Sequence, residues 1–123
     1  MLLILVKQID LRSIKNKIAN KKVYIKIHES DLAKIYAFCD PELIGKTLKS
    51  EKLTFYVNPD FYEGKLISLE EAIKIVALYP NANILGRVVY YASLLKIVDK
   101  RSILWIHDEK TNLRTPHIIL MKL

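Results

Sequence analysis

The sequence predicts an α+β fold, and three observations carry that reading. Alternating apolar and polar residues recur in short runs near the start of the chain. Two stretches of helical periodicity follow in the middle, and two further strand-like runs close the chain. Strands and helices are thus partly segregated, which favours α+β over a doubly wound sheet. The expected order is β-β-β-α-α-β-β: a small mixed or antiparallel sheet with two packed helices, plus a basic helix at the N-terminus.

The elements follow in chain order. After the apolar MLLILV, the segment DLRSIKNKIAN sets Leu11, Ile14 and Ile18 at i, i+3 and i+7, one stripe of a short helix with Asp10 as its N-cap. Arg12, Lys15, Lys17 and Lys21 fall on or beside the opposite face. VYIKIH (23–28) and AKIYAF (33–38) read as a hairpin joined by Glu29–Leu32. Val23, Ile25 and Ile27 share one face of the first run, and Ala33, Ile35 and Ala37 one face of the second. DPELIGKTL (40–48) reads as a turn with a short helical piece broken by Gly45, and KLTFYV (52–57) as a third strand. Ser68-Leu69-Glu70-Glu71 is a capping box that opens a helix expected to run to Tyr79 and stop at Pro80. A second helix is expected over 82–97, burying Leu85, Val88, Ala92 and Leu95. ILWIH (103–107) and PHIILMKL (116–123) close the fold as strands about the turn 108–114.

With 123 residues, 51% of them hydrophobic and 27% charged, the chain is one globular unit with room for a single core. Three glycines and four prolines leave little material for linkers. A single cysteine, Cys39, excludes an internal disulfide and a cysteine-rich zinc site, and this suits a reducing cytoplasm. No apolar run approaches the ~20 residues of a membrane span, and MLLILV is too short for a signal peptide. Abundant Ile, Lys and Tyr fit a thermophile, or equally an AT-rich genome.

Charge is distributed unevenly. In residues 1–26, seven bases (Lys7, Arg12, Lys15, Lys17, Lys21, Lys22 and Lys26) meet one acid, Asp10, so this segment holds +6 of the net +7. The chain divides into a basic amphipathic arm, 1–21, and a nearly neutral domain, 22–123. Such asymmetry points to nucleic acid or another anionic surface. Strand alternation adds a pattern: Tyr24, Lys26 and His28, then Lys34, Tyr36 and Phe38, then Lys52, Thr54 and Tyr56 lie opposite the apolar residues. If the three runs share a sheet, they form a face of tyrosines and lysines, the combination with which RNA-binding sheets stack bases and meet phosphates. Solvated lysines and strand-favouring tyrosines produce the same composition without a ligand.

No catalytic signature is present. There is no phosphate loop, nucleophile elbow or dinucleotide fingerprint, and His28, His107 and His117 lack metal-ligand spacing. The reading leans away from an enzyme and implies no cofactor or metal. Cys39 reads as a buried thiol. Gly86 would cost up to ~1 kcal/mol inside a helix; it reads either as a close-packing position or as part of a phosphate-binding helix start near Asn81–Asn83 with Arg87.

Four local pieces, Asp40-Pro41-Glu42-Leu43-Ile44-Gly45-Lys46-Thr47, Phe61-Tyr62-Glu63-Gly64, Asn81-Ala82-Asn83-Ile84-Leu85-Gly86 and Pro116-His117, in this order and spacing resemble the archaeal DUF424 family. The resemblance covers about residues 23–123 and leaves out the basic arm. It implies a small archaeal protein without an established activity and tilts expectation towards translation. Gly45, Phe61, Tyr62, Gly64, Asn83, Gly86, Pro116 and His117 are the positions it singles out. Positive φ at turns is expected of Gly45 and Gly64, and Phe61-Tyr62 reads as a core plug.

The leading expectation is an RNA-binding accessory protein of the archaeal translation apparatus, with ribosomal RNA and ribosomal proteins as partners. The alternative is a protein-interaction module or homodimer whose arm docks on a partner, suggested by the apolar Leu2–Val6. A third is a small-molecule or hydrolytic site formed by Phe61, Asn83 and His117.

Overall fold

The computed structural model describes residues 14–78 and 81–121. Within them the architecture is α+β, as the sequence predicts, built on a mixed six-stranded sheet. Residues 14–18 are helical (α1). The strands are β1 (Lys22–Glu29), β2 (Lys34–Cys39), β3 (Thr47–Lys49), β4 (Thr54–Tyr56), β5 (Lys65–Ser68), β6 (Ala82–Leu85), β7 (Leu104–Asp108) and β8 (Leu113–Leu120). The remaining helices are α2 (Pro59–Tyr62), α3 (Leu69–Leu78) and α4 (Arg87–Leu94). The main sheet runs β5-β1-β2-β6-β8-β7, and β3-β4 form a separate hairpin. Its one parallel pair is β2–β6.

Both faces of this sheet are covered. Residues paired across an antiparallel register share a face. Ile25 faces Phe38 and Ile27 faces Tyr36, so Val23, Ile25, Tyr36 and Phe38 lie together. With Ile67, Ile84 and Ile118 they meet Ile14 and Ile18 of α1, Leu69, Ile73 and Val76 of α3, and Val88, Val89 and Ala92 of α4 in the larger core. On the other face Ala37, Cys39, Leu85 and Ile106 pack with Leu43, Leu48, Val57 and Tyr62 in a smaller core beneath the hairpin and α2. β2 therefore feeds two cores and is buried from Tyr36 to Cys39, the continuous pattern of a strand covered on both sides.

The register corrects the expected Tyr/Lys face. Tyr36 and Phe38 point to the helical core, at 8% and 0% exposure, not to the face of Tyr24, Lys26 and His28. The bulkier aromatic pair fills the deep helix-backed core, and the smaller Ala37 and Cys39 accommodate the closely docked hairpin. Lys52 lies between β3 and β4, and Tyr56 lies on β4, so neither belongs to the main sheet.

The expected helix over 82–97 is also corrected. Residues 82–85 form a strand paired with β2 and β8, and only Arg87–Leu94 is helical. Gly86 separates the two with φ of 104°, a conformation no helix interior contains. Leu85 therefore packs in the smaller core, while Val88, Ala92 and Leu95 are buried on the helical side as expected. Two further strands, β3 and β5, lie where no strand is expected. At α3 the cap forms: Ser68 Oγ accepts from Glu71 N–H at 3.0 Å. The expected end of that helix at Tyr79-Pro80 lies outside the described residues, as do Lys7, Asp10, Leu11 and Arg12 of the arm and the Leu2–Val6 run.

Candidate functional site

The positions that the family resemblance singles out converge on two places. The first is a polar knot between the sheet and the smaller core. Asn83 Oδ1 accepts from Tyr62 O–H at 2.6 Å and pairs with His117 Nε2 at 2.9 Å. An amide oxygen accepts only, which places a proton on Nε2. Burial lowers the His117 pKa, so the ring is neutral, and it meets Phe55 edge-on at 5.1 Å. Burial likewise raises the Tyr62 pKa. Phe61 does not join this knot. It stacks on His28 at 4.5 Å, and its carbonyl pairs with His28 Nε2 at 2.8 Å.

Asn83 and His117 thus meet as the third expectation requires, but Phe61 faces another partner. The knot ties β6, β8 and α2 together. Cys39 is fully buried in the same core, and that burial raises its pKa. Among the described residues no group of three or more His, Cys, Asp or Glu could hold a metal ion.

The second place lies at the carboxyl ends of the parallel strands β2 and β6. Asp40 follows β2, and Gly86 follows β6 and is the N-cap of α4. Gly86 has no side chain to cap the helix, and the Asp40 carboxylate does so instead: both its oxygens accept from Arg87 N–H at 3.1 Å. The Arg87 guanidinium lies 3.7 Å from Asp40 and 2.6 Å from Glu42. The expected phosphate site at this terminus is therefore filled by the protein's own carboxylate. Burial outweighs the Arg87 interactions and pushes the Asp40 pKa up to about 6.

Three glycines have three different reasons. A Cβ on Gly86 would run into the Asp40 carboxylate, and φ is 104°. Gly45 has φ of 79° and open space around it. Gly64 lacks the expected left-handed φ; a Cβ there would collide with the β1 backbone at Ile25.

Beside the capped terminus lies a groove of about 540 Å³ between α4 and the β7–β8 ribbon. α4 contributes Arg87 and Tyr90 to its lining, the β7–β8 ribbon contributes Trp105 and Arg114, and Asp40 and Glu42 line it as well. Pro116 lies along it, its carbonyl accepting from Gly86 N–H at 2.9 Å. The grouping of Trp105 and Arg114 with Tyr90 had no signal in the sequence, because only the packing of the β7–β8 ribbon beside α4 brings them together.

The basic residues distribute as follows. Lys15, Lys17, Lys21 and Lys22 are exposed on α1 and the entry to β1. Tyr24 and Lys26 are half-buried, and Lys26 Nζ donates to the Asp60 carbonyl at 2.6 Å. Lys34 sits over the Tyr36 ring, 5.5 Å from its centroid. Lys52 and Tyr56 are exposed around the hairpin.

A two-sided α+β domain with a docked basic helix defines the class of protein. More particularly, the chain belongs to the DUF424 family, described as proteins of unknown function, whose family model matches residues 27–113. No curated protein matches the chain. A crystal structure of an uncharacterized conserved protein from Methanopyrus kandleri has the same fold, with a TM-score of 0.61 and 23% identity, covering 83% of this chain and 95% of that one. Among the described residues no helix is long and apolar enough to cross a membrane.

Two predictions follow from the Asp40–Gly86 contact. Gly86→Ala combines a left-handed φ with a collision and should cost more than about 3 kcal/mol, whereas Gly45→Ala should cost about 1–2 kcal/mol. Parallel thermal unfolding of the two variants checks the order. For Asp40, a folded pKa above the unfolded 3.8 means that ionisation costs more in the folded protein. Its contribution to stability is thus greatest below the unfolded pKa and is lost as pH rises through the folded value. Asp40→Asn keeps an acceptor and removes the titration. Relative to the parent, this variant should gain up to about 3 kcal/mol between about pH 4 and pH 7 in urea unfolding. A stability difference that stays constant with pH would contradict this.

Proposed function

We propose that this protein binds RNA through the lysines of α1 and the start of β1, as a cytoplasmic accessory of the archaeal translation apparatus with ribosomal RNA as its partner. One observation carries the reading. Ile14 and Ile18, at 6% and 3% exposure, lock the helix onto the domain core, so Lys15, Lys17, Lys21 and Lys22 are held outward on a rigid support. Ammonium groups so fixed meet phosphates with less ordering cost than those on a loose tail. The chain's net charge of +7 supplies the attraction. None of these four lysines has an ion-pair or hydrogen-bond partner for its ammonium group among the described residues.

The mechanism is electrostatic. Lysines displace counterions from the phosphate backbone, and the folded domain fixes orientation. Tyr36 and Phe38 take no part, being enclosed in the core.

Replacing Lys15, Lys17, Lys21 and Lys22 with Ala should reduce the slope of log affinity against log salt by up to about 3–4 for a structured ribosomal RNA fragment. Filter binding across a salt series measures it. An unchanged slope, or RNA-free homodimerisation as the sole association of the intact chain, would overturn the proposal.

A further inference from the structure

The groove between α4 and the β7–β8 ribbon has features that the lysine surface lacks. Trp105 and Tyr90 are 42% and 48% exposed, unusual for large aromatic side chains. Both line the same cavity, one from the sheet and one from the helix. Arg114 lies over the Trp105 ring at 5.6 Å from its centroid. The Arg87 guanidinium is engaged by Glu42 and Asp40, whereas Arg114 has no carboxylate partner among the described residues. A planar cation parked on an indole keeps its edge donors available for an anion.

Polarity runs along the groove. Asp40 follows β2, Trp105 is on β7, and the sheet order places three strand spacings between them. At roughly 4.8 Å per strand this is about 14 Å. Asp40 and Glu42 lie at the β2 end of this span, and Trp105, with Arg114 over its ring, at the β7–β8 end. The volume of about 540 Å³ lies within the usual range of small-ligand sites.

We propose that this groove takes a single unstacked nucleotide of an RNA strand, with its base against Tyr90 and Trp105 and its phosphate on Arg114. Ring faces of exposed aromatics accept any base, and the guanidinium supplies charge-assisted hydrogen bonds to phosphate oxygens. The exposed Glu42 carboxylate accepts from an exocyclic amine, so the base edge points towards it. The biological source of the nucleotide rests on the RNA-binding reading, whereas the groove's affinity for a free nucleotide does not.

Trp105 is the only tryptophan in the chain, so one indole N–H resonance reports on the groove. The whole protein is titrated with AMP, UMP and ribose 5-phosphate, following that resonance. AMP should shift it saturably with a dissociation constant on the order of 1 mM, the range for one stacked base with one charged contact. UMP, which stacks less and has no exocyclic amine, should bind more weakly, and ribose 5-phosphate should leave the resonance in place. Arg114→Ala should weaken AMP binding about tenfold or more, and Arg114→Lys should restore only part of it, since Lys keeps the charge but not the planar fork. Both substitutions are at an exposed position, and the unperturbed remainder of the spectrum confirms folding. The quadruple lysine variant should bind AMP as the parent does, which separates failure of the groove from failure of the lysine surface. No saturation with AMP, ribose 5-phosphate or UMP acting as well as AMP, or an Arg114→Ala variant that binds normally would overturn the proposal.

Discussion

A buried carboxylate must find donors, and much of this fold is arranged so that Asp40 finds them in the backbone of Arg87. The side chain is enclosed at the end of β2, where desolvation alone would favour the protonated acid. It is met by the first N–H of α4 and by the positive end of that helix. This contact requires residue 86 to have no Cβ, requires β6 to stop there, and sets the angle at which α4 returns over the sheet. One interaction therefore couples the parallel pair β2–β6 to the helix that covers it.

The consequences spread to both cores. α4 carries Val88, Val89 and Ala92 into the larger core, while Leu85, just before the turn, reaches the smaller one. On that second face the Asn83 knot performs a parallel task, satisfying Tyr62 and His117 with one amide oxygen. The β3–β4 hairpin is fastened separately: Asp108 accepts from Lys49 N–H at 3.0 Å, and Lys49 accepts from Glu109 N–H at 3.0 Å. Both faces are occupied over the central strands, and the surfaces open among the described residues include the edge ribbon beside α4 and the outer side of the docked helix. The lysine ridge and the aromatic groove occupy such positions.

Sequence periodicity foretold the fold class, the first hairpin, the capped α3 and the closing strands. It failed where tertiary context decides. ANIL is short, and its neighbours have helical spacing, so only the positive φ at Gly86 reveals that a strand ends there. Alternation in β2 shows that Tyr36 and Phe38 share a side; it does not show which side of β1 they join, and pairing of Ile25 with Phe38 reverses the expected face. The resemblance marked Asn83 and His117 without their geometry, and His117 beside Gly86 hid the fact that these positions serve two different places. Trp105 and Arg114 were silent because a groove made by strand register has no local sequence pattern.

The Asp40 carboxylate holds the start of α4. The first backbone N–H of a helix ordinarily exchanges freely with solvent, having no intrahelical partner. Native-state hydrogen exchange at Arg87 N–H therefore reads the contact directly, in the parent and in Asp40→Ala. Exchange should be slow in the parent and about 100-fold or more faster in the variant, beyond any change in global stability. Rapid exchange in the parent, or equal rates in the two proteins, would contradict it.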